Sequence, residues 1–294
     1  METQMFNGSI AALITPFSDT GIDEKALVKL IRFQLDAGTN GVVPVGTTGE
    51  APTLTAREQR KVIEIVVREV AGQVPVIAGA GSNNPVDAVA YAADAAAAGA
   101  DAVLHALGYY NRPNQEGIYR HFEMLDQSTE LPIIAYNVPP RSVIDILPET
   151  MARLAGLDHV IGVKDATCDL SRPVRERLLI DKPFCFLSGE DPTAVAYNAH
   201  GGQGCISVTA NVAPALCAQM QKACADGNYQ KALELQQQLM PLHRALFIEP
   251  SPAGVKYACS LIGLCESTCR QPMVELTQST KTEIERVMRE LELI

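Results

Sequence analysis

Long apolar runs and positive charge are both scarce in this sequence of 294 residues. No apolar run approaches the roughly 18 residues that cross a bilayer, and the start Met1-Glu2-Thr3-Gln4 lacks signal-peptide character. Lys and Arg number 24 against 34 Asp and Glu, which gives a net charge of −10. Such an acidic chain is a poor partner for nucleic acid or an anionic membrane. These shortages indicate a cytoplasmic protein without a nucleic-acid or membrane partner.

Cysteine and histidine are present but lack the spacings of common cross-links and metal sites. The eight cysteines show no paired C-x-x-C spacing, so free thiols in a reducing cytoplasm are expected. Five scattered histidines match no metal pattern, and His105, inside a predicted strand, is expected to be a packed or hydrogen-bonded wall residue rather than a base. No P-loop or Ser–His–Asp signature is visible either. We therefore expect no metal, and a metal-dependent aldolase is disfavoured.

Short apolar runs alternate with amphipathic helical patterns along most of the chain, as repeated βα units do. Helical patterns cover residues 22–37, 55–70, 85–98 and 115–126. Eight such units fit a closed parallel (β/α)8 TIM barrel of the α/β class better than an open doubly wound sheet. The missing dinucleotide fingerprint G-x-G-x-x-G points the same way, because the run from Gly79 fails at Asn84. The strands are predicted to begin near Ser9, Gly41, Val74, Ala102, Pro132, Val160, Phe184 and Cys205.

The pattern changes near residue 226, after which only helical segments are predicted, at 229–247, 253–262 and 281–291. We therefore predict a barrel catalytic domain over residues 1–226 and a C-terminal helical extension over residues 227–294. No linker or low-complexity tract separates them.

Lys164 ends the apolar run Val160-Ile161-Gly162-Val163, which indicates a strand buried on both faces. Desolvating an ammonium there costs several kcal/mol. Burial favours the neutral amine, which is a nucleophile able to form a Schiff base with a carbonyl substrate. The alternative is a lysine that snorkels from the strand end toward a carboxylate such as Asp165 or Asp191.

Further polar groups follow the predicted strands, at the barrel end where chemistry takes place. Tyr136 is either a general acid–base beside Lys164 or a core tyrosine with its hydroxyl bonded elsewhere. Thr47 and Thr48 lie between glycines and serve either turn chemistry or a proton relay with carboxylate-binding amides. Arg141 follows two prolines and is either a carboxylate clamp or a solvated surface residue.

Four motifs occur in a fixed order along the chain: Gly46-Thr47-Thr48-Gly49-Glu50, Tyr109-Tyr110-Asn111-Arg112-Pro113, Tyr136-Asn137-Val138-Pro139-Pro140-Arg141 and Gly162-Val163-Lys164-Asp165-Ala166. Together they resemble the dihydrodipicolinate synthase (4-hydroxy-tetrahydrodipicolinate synthase) family of pyruvate-dependent class I aldolases. The likeness covers the barrel and extends more weakly through the helical tail. The double threonine and the Pro-Pro-Arg run favour the synthase over sialic acid lyases and sugar-acid aldolases.

By that resemblance, Lys164 forms an imine with pyruvate, so no cofactor is needed, and Tyr136 donates and accepts protons. Thr47 links Tyr136 to Tyr110 in a proton relay, with Tyr110 supplied by the neighbouring subunit. The implied reaction joins pyruvate to L-aspartate 4-semialdehyde and gives 4-hydroxy-tetrahydrodipicolinate, in lysine and diaminopimelate biosynthesis.

The resemblance also implies how the substrates are held and how the chain assembles. Thr48 and Ile206 contact pyruvate, Arg141 holds the carboxylate of the semialdehyde, and Gly189 lines the pocket. The implied assembly is a homotetramer built from two tight dimers. The alternatives are another pyruvate-dependent aldolase, for 4-hydroxy-2-oxoglutarate or a sugar acid, and a barrel that senses a keto acid without turnover.

Lysine-inhibited members of the family have an allosteric cleft at the dimer interface, which Asn83, Asp87 and Tyr109 match here. Ala56 and Gln59 stand where that cleft has histidines, so feedback inhibition by lysine is not expected.

The run Leu107-Gly108 replaces the usual Thr-Pro before the tyrosine pair. We therefore expect a more mobile loop there and a less firmly placed Tyr110.

Overall fold

Eight parallel strands form the centre of the molecule in the computed structural model, which describes residues 6–294. In chain order the strands are Gly8–Ala12 (β1), Gly41–Val43 (β2), Ile77–Gly79 (β3), Ala102–Ala106 (β4), Ile133–Asn137 (β5), Val160–Asp165 (β6), Cys185–Ser188 (β7) and Gly204–Ser207 (β8). Neighbouring strands pair in the order β2-β1-β8-β7-β6-β5-β4-β3. The ring closes between β2 and β3, where the Val42 amide donates to Pro75 O at 3.1 Å and a parallel bridge joins Val42 to Val76. The predicted barrel is confirmed.

The predicted and observed strand starts differ most in β3, which was expected near Val74 and begins at Ile77. Pro75 explains the difference, since proline has no amide hydrogen to donate into a ladder. A short antiparallel hairpin of Phe17–Ser18 and Gly21–Ile22 follows β1 and lies outside the barrel sheet.

Helices surround the barrel and continue beyond it. They are Glu24–Asp36 (α1), Ala56–Val70 (α2), Pro85–Ala97 (α3), Gln115–Asp126 (α4), Pro139–Ser142 (α5), Pro148–Ala155 (α6), Arg172–Arg177 (α7), Ala194–Ala199 (α8), Pro214–Ala225 (α9), Tyr229–Ala245 (α10), Ala253–Leu261 (α11) and Gln278–Glu290 (α12). Within residues 6–294, no helix is both long enough and apolar enough to cross a membrane.

Hydrogen bonds between Thr55 and Glu58 set the start of helix α2, where the loop after β2 ends. Thr55 Oγ1 accepts from the Glu58 amide at 3.3 Å, and Glu58 Oε2 accepts from the Thr55 amide at 2.9 Å. This reciprocal capping satisfies two amides that the helix cannot pair internally. It fixes the point at which the loop after β2 enters α2.

Two apolar cores follow from the alternation of side chains along each strand. The inner core fills the barrel with residues such as Ile10, Leu104, Ile134 and Ile206, and Tyr136 packs against its edge. The outer core lies between the strands and the helices.

The outer core is continuous with the C-terminal helices, because Leu235, Leu239 and Ile284 belong to it together with barrel residues. The predicted boundary at residues 226/227 falls in the turn between α9 and α10. The division into two domains stays a prediction.

A buried histidine pair joins β4 to α4. His105 Nε2 lies 3.0 Å from His121 Nε2, and His105 Nδ1 lies 3.1 Å from Ala80 O. His105 is thus a hydrogen-bonded wall residue, as expected. Burial lowers the pKa of His105 to about 3, with His121 adding to the effect, and burial lowers the pKa of His121 to about 4.

These depressed pKa values make folding pH-dependent, because the unfolded chain binds protons that the folded chain excludes. Stability should therefore fall as the pH drops from about 6.5 toward about 4, where the folded-state histidines begin to protonate. A His105→Leu/His121→Leu variant should show a slope of unfolding free energy against pH that is flatter by about 1–2 kcal/mol per pH unit in that window. Urea denaturation across the window measures the slope. The exposed His200, changed to Asn, is the control, and an unchanged slope in the double variant would contradict this account.

Candidate active site

The carboxyl ends of β5 and β6 bring Tyr136 and Lys164 together. The two residues are direct partners in the parallel register, and Lys164 Nζ lies 4.1 Å from the centroid of the Tyr136 ring. Lys164 is only 6% exposed. Among the described residues, no carboxylate lies within ion-pair distance of its Nζ. The structure thus holds a buried amine against an aromatic face rather than against an acid.

The two carboxylates named as alternative partners for the lysine are bound elsewhere. Asp165 Oδ2 pairs with Arg172 Nε at 3.2 Å. Asp191 accepts from the Val208 and Thr209 amides at 3.0 and 3.1 Å. Asp191 therefore orders the loop after β8, and neither acid neutralises the lysine.

A cluster of charged side chains holds the tyrosine and the lysine from outside the barrel. Asn137 and Asp165, the residues that follow them, are also register partners. Asn137 Nδ2 donates to Asp145 Oδ1 at 2.7 Å, and Arg172 Nη1 donates to both Asp145 oxygens at 3.1 Å. Arg172 Nη2 reaches Glu176 Oε1 at 3.1 Å. One arginine thus ties together the ends of β5 and β6.

Three carboxylates surround Arg172, and it is energetically unfavourable for all three to be charged at once. Burial raises the pKa of Glu176 to about 8, although Arg172 opposes the shift. Burial also raises the pKa of Asp165. A proton on Glu176 therefore reduces the excess negative charge of this cluster near neutral pH.

Gly189 follows β7 and lies next to the lysine, whereas Ile206 lies in β8. A Cβ at Gly189 would lie 3.1 Å from Lys164 Cε and 3.0 Å from Ala166 Cβ, so the glycine leaves room for the lysine side chain. Ile206 is 1% exposed and belongs to the inner core that Tyr136 contacts. The contact of both residues with substrate stays a prediction.

The loop at residues 46–50 forms a tight turn directly after β2. The Gly49 amide donates to Gly46 O and the Glu50 amide donates to Thr47 O, both at 3.1 Å. In the described part of the chain, the amides and hydroxyls of Thr47 and Thr48 donate to no protein acceptor. Successive unpaired amides of this kind are suited to binding an anion.

A cavity of about 470 Å³ opens above the barrel mouth. Thr47, Tyr136 and Arg141 line it together with Gly46, Gly79, Gly81, Ser82, Leu107 and Val138. Lys164 is not part of this lining, although its Nζ contacts the ring of Tyr136, which is.

Arg141 lies on the one-turn helix α5, is exposed, and has no ion-pair partner among residues 6–294. Burial raises the pKa of Glu190, Asp191 adds to this shift, and the charges of Lys164 and Arg141 oppose it. Arg141 therefore places a positive charge at the mouth of an otherwise acidic protein, where it can attract an anion.

The predicted allosteric residues line the outer side of the same cavity. Asn83, Asp87 and Tyr109 are all among its lining residues, and Asn83 Nδ2 donates to Tyr109 O at 3.1 Å. Gln59 also lines the cavity, and its Nε2 donates to Ala51 O at 3.1 Å. The structure thus brings these positions together, and their regulatory role stays a prediction.

Tyr110 lies outside the site of its own chain, with 93% of its surface exposed and a φ of +70°. Gly108 precedes the pair at a φ of +75°, and a Cβ there would lie 2.1 Å from Ile144 Cδ1. The positive φ therefore favours the glycine that departs from the family pattern, and Ile144 would have to shift to admit a side chain there. Both the action of Tyr110 in a neighbouring subunit and the mobility of this loop stay predictions.

Sequence reasoning missed the residues that support the site from behind. Arg172, Asp145 and Glu176 were not singled out, nor was Lys256, which lies fully buried beneath the 46–50 loop. A signal existed for Lys256, since it is the one charged residue in the segment Ala253–Leu261.

Among the described residues, no group of three or more His, Cys, Asp or Glu is arranged to hold a metal ion. The expectation of chemistry without a metal or cofactor stays a prediction.

The fold and this site define a parallel (β/α)8 barrel enzyme with a buried lysine at the carboxyl end of its strands. The sequence profile of the dihydrodipicolinate synthetase family matches residues 5–291. This chain belongs to that family, which confirms the resemblance carried by the four motifs.

Individual relatives agree over almost the whole chain. The 4-hydroxy-tetrahydrodipicolinate synthase of Parvibaculum lavamentivorans is 53% identical over 290 residues, which is 99% of this chain and 100% of that protein. The dihydrodipicolinate synthase structure from Aquifex aeolicus superposes with a TM-score of 0.96 at 39% identity, over 98% of this chain and 99% of that one. The chloride-inhibited dihydrodipicolinate synthase from Acinetobacter baumannii, complexed with pyruvate, has a TM-score of 0.96 at 37% identity and the same coverage.

The raised pKa of Glu176 leads to a stability test of the cluster behind the site. The folded protein binds a proton that the unfolded chain releases near pH 4.5, so stability should fall as the pH rises toward about 8. Glu176→Gln cannot ionise, and its unfolding free energy should exceed that of the wild type by about 1–3 kcal/mol above that pH. Denaturant titrations at several pH values measure the difference. The control is Glu290→Gln, which alters an exposed glutamate paired with Arg286 at the same i,i+4 spacing, and equal effects of the two substitutions would refute this reasoning.

Proposed function

We propose that this chain condenses pyruvate with L-aspartate 4-semialdehyde through a Schiff base on Lys164 and gives 4-hydroxy-tetrahydrodipicolinate. The observation that carries the proposal is the buried amine of Lys164, held 4.1 Å from the Tyr136 ring centroid without a carboxylate partner. Membership of the dihydrodipicolinate synthetase family supports the choice of substrates.

The chemistry begins with attack of the Lys164 amine on the keto carbon of pyruvate. Tyr136 takes and returns protons as the carbinolamine loses water, because hydroxide leaves poorly unless it is protonated. The resulting imine draws electrons from the methyl group, which loses a proton and becomes an enamine carbon. That carbon forms a bond to the aldehyde carbon of the semialdehyde. The semialdehyde amine then attacks the imine carbon, closes the ring and releases Lys164.

The carboxylate of pyruvate is assigned to the free amides and hydroxyls of Thr47 and Thr48. Fixed amide donors bind a carboxylate without a cation and without the cost of reorganising water. A keto acid is a reasonable occupant because the Acinetobacter baumannii relative was solved with pyruvate. We assign no cofactor to the reaction, since the imine itself is the electron sink.

The carboxylate of the semialdehyde is assigned to Arg141. Its guanidinium is exposed at the cavity, has no acid partner within residues 6–294, and presents a planar fork that suits a carboxylate. An aldolase whose aldehyde substrate carries no carboxylate would not need a cation at this position.

A neighbouring subunit is assigned the last part of the proton relay. Tyr110 is 93% exposed and Tyr109 is 42% exposed, so both are available for contact between chains. We propose a homotetramer of two tight dimers in which Tyr110 completes a relay through Thr47 to Tyr136 of its partner. The compartment proposed is the cytoplasm, since all eight cysteines are free thiols, and the pathway is lysine and diaminopimelate biosynthesis.

A coupled assay with pyruvate and L-aspartate 4-semialdehyde tests this function. Wild-type protein should turn over both substrates, and Arg141→Ala should lower kcat/KM for the semialdehyde by about 100-fold, since a charge-assisted bidentate contact is lost. The matched control is Arg112→Ala, which removes an exposed arginine outside the cavity lining. Absence of wild-type turnover would contradict the function. Full activity of Arg141→Ala toward the semialdehyde would instead overturn the carboxylate-binding role assigned to Arg141.

A further inference from the structure

Glu50 and Lys256 form an ion pair that is almost completely enclosed. Lys256 Nζ donates to Glu50 Oε1 at 2.7 Å, and the two side chains are 0% exposed for the lysine and 3% for the glutamate. The ammonium also lies 4.1 Å from the centroid of the Phe17 ring. A buried ion pair stabilises a fold no better than apolar side chains of similar volume. This pair therefore needs an explanation beyond stability.

The two partners come from distant parts of the chain. Glu50 closes the 46–50 loop at a φ of +58°, whereas Lys256 lies in α11, beyond the barrel. The C-terminal region makes a second contact with the same side chain: the Arg270 amide donates to Glu50 Oε2 at 2.9 Å. Both carboxylate oxygens of Glu50 are thus held by the C-terminal region.

The backbone of Glu50 transmits this constraint to the threonines of the loop. Its amide donates to Thr47 O at 3.1 Å. The amides and hydroxyls of Thr47 and Thr48 are the donors assigned above to the carboxylate of pyruvate. Such donors bind strongly only when their orientation is fixed before the ligand arrives.

We propose that Lys256 is a positioning residue whose ion pair with Glu50 holds the Thr47 and Thr48 amides in the orientation that binds the carboxylate of pyruvate. The proposal rests on the function proposed above. Lys256 touches no substrate and acts through the side chain and then the backbone of Glu50. By this route the C-terminal helix α11 contributes to substrate binding without contacting the substrate.

A double variant, Glu50→Gln/Lys256→Met, tests the proposal without leaving a buried charge unpaired. The imine route is a two-step covalent reaction, so kcat/KM for each substrate reports on its own half-reaction. We expect kcat/KM for pyruvate to fall by about 10- to 100-fold, as small displacements of positioning groups do. The value for the semialdehyde should stay within about twofold, because Arg141 is untouched. The melting temperature should change little.

A second lysine–glutamate pair in the same region provides the matched control. Lys281 pairs with Glu275, and its Nζ lies 5.6 Å from the Tyr257 ring centroid. Glu275→Gln/Lys281→Met removes the same charges away from the loop and should leave both values of kcat/KM unchanged.

The outcomes separate this inference from the function on which it rests. An unchanged kcat/KM for pyruvate in the Glu50/Lys256 double variant, with normal wild-type turnover, overturns the positioning role alone. A parallel loss in both half-reactions with a lower melting temperature also overturns it, because a purely structural pair would behave in this way. A wild-type protein that condenses neither substrate overturns the proposed function and this inference with it.

Discussion

The parallel register between β5 and β6 is the constraint on which the rest of the site depends. It sets Tyr136 opposite Lys164 and, one residue later, Asn137 opposite Asp165. Because side chains alternate across a strand, the first pair faces the barrel and the second faces the helices. A slip of one residue in β6 would reverse its faces and bring Asp165 or Val163 to the position that Lys164 now occupies. The bonds from Asn137 and Asp165 to the Arg172 cluster therefore secure the register at the point where chemistry requires it.

Three buried basic residues near this site have different contact partners, and the partners indicate different roles. Arg172 is surrounded by carboxylates and serves as a fixed structural junction. Lys256 has a single carboxylate partner and secures a loop. Lys164 has an aromatic ring and no carboxylate partner among residues 6–294. A partner acid would stabilise the ammonium, so the absence of one agrees with the nucleophilic role proposed for this amine.

The sequence was most informative where a physical rule acts over a short distance. Apolar runs and their spacing predicted all eight strands, and Pro75 accounts for the late start of β3. Residues at strand ends, such as Tyr136, Lys164 and Thr47, could be found because a barrel collects those ends at one rim.

Long-range partners could not be found in this way. Nothing in the local pattern of Lys256 indicates that its carboxylate comes from residue 50, nor does the pattern around Asp145 indicate that Arg172 joins it to the strands. The packing reason for Gly108 was equally invisible, because Ile144 meets it only after folding. Pairing across the fold depends on three-dimensional closure, which single-sequence periodicity does not encode.

Reduction with borohydride in the presence of pyruvate tests the central claim most directly, since it converts a Schiff base into a stable secondary amine. Peptide mass analysis of the treated protein should find one adduct, on the peptide that contains Lys164, and none when pyruvate is omitted. An adduct on a different lysine, or an unmodified protein, would contradict the account.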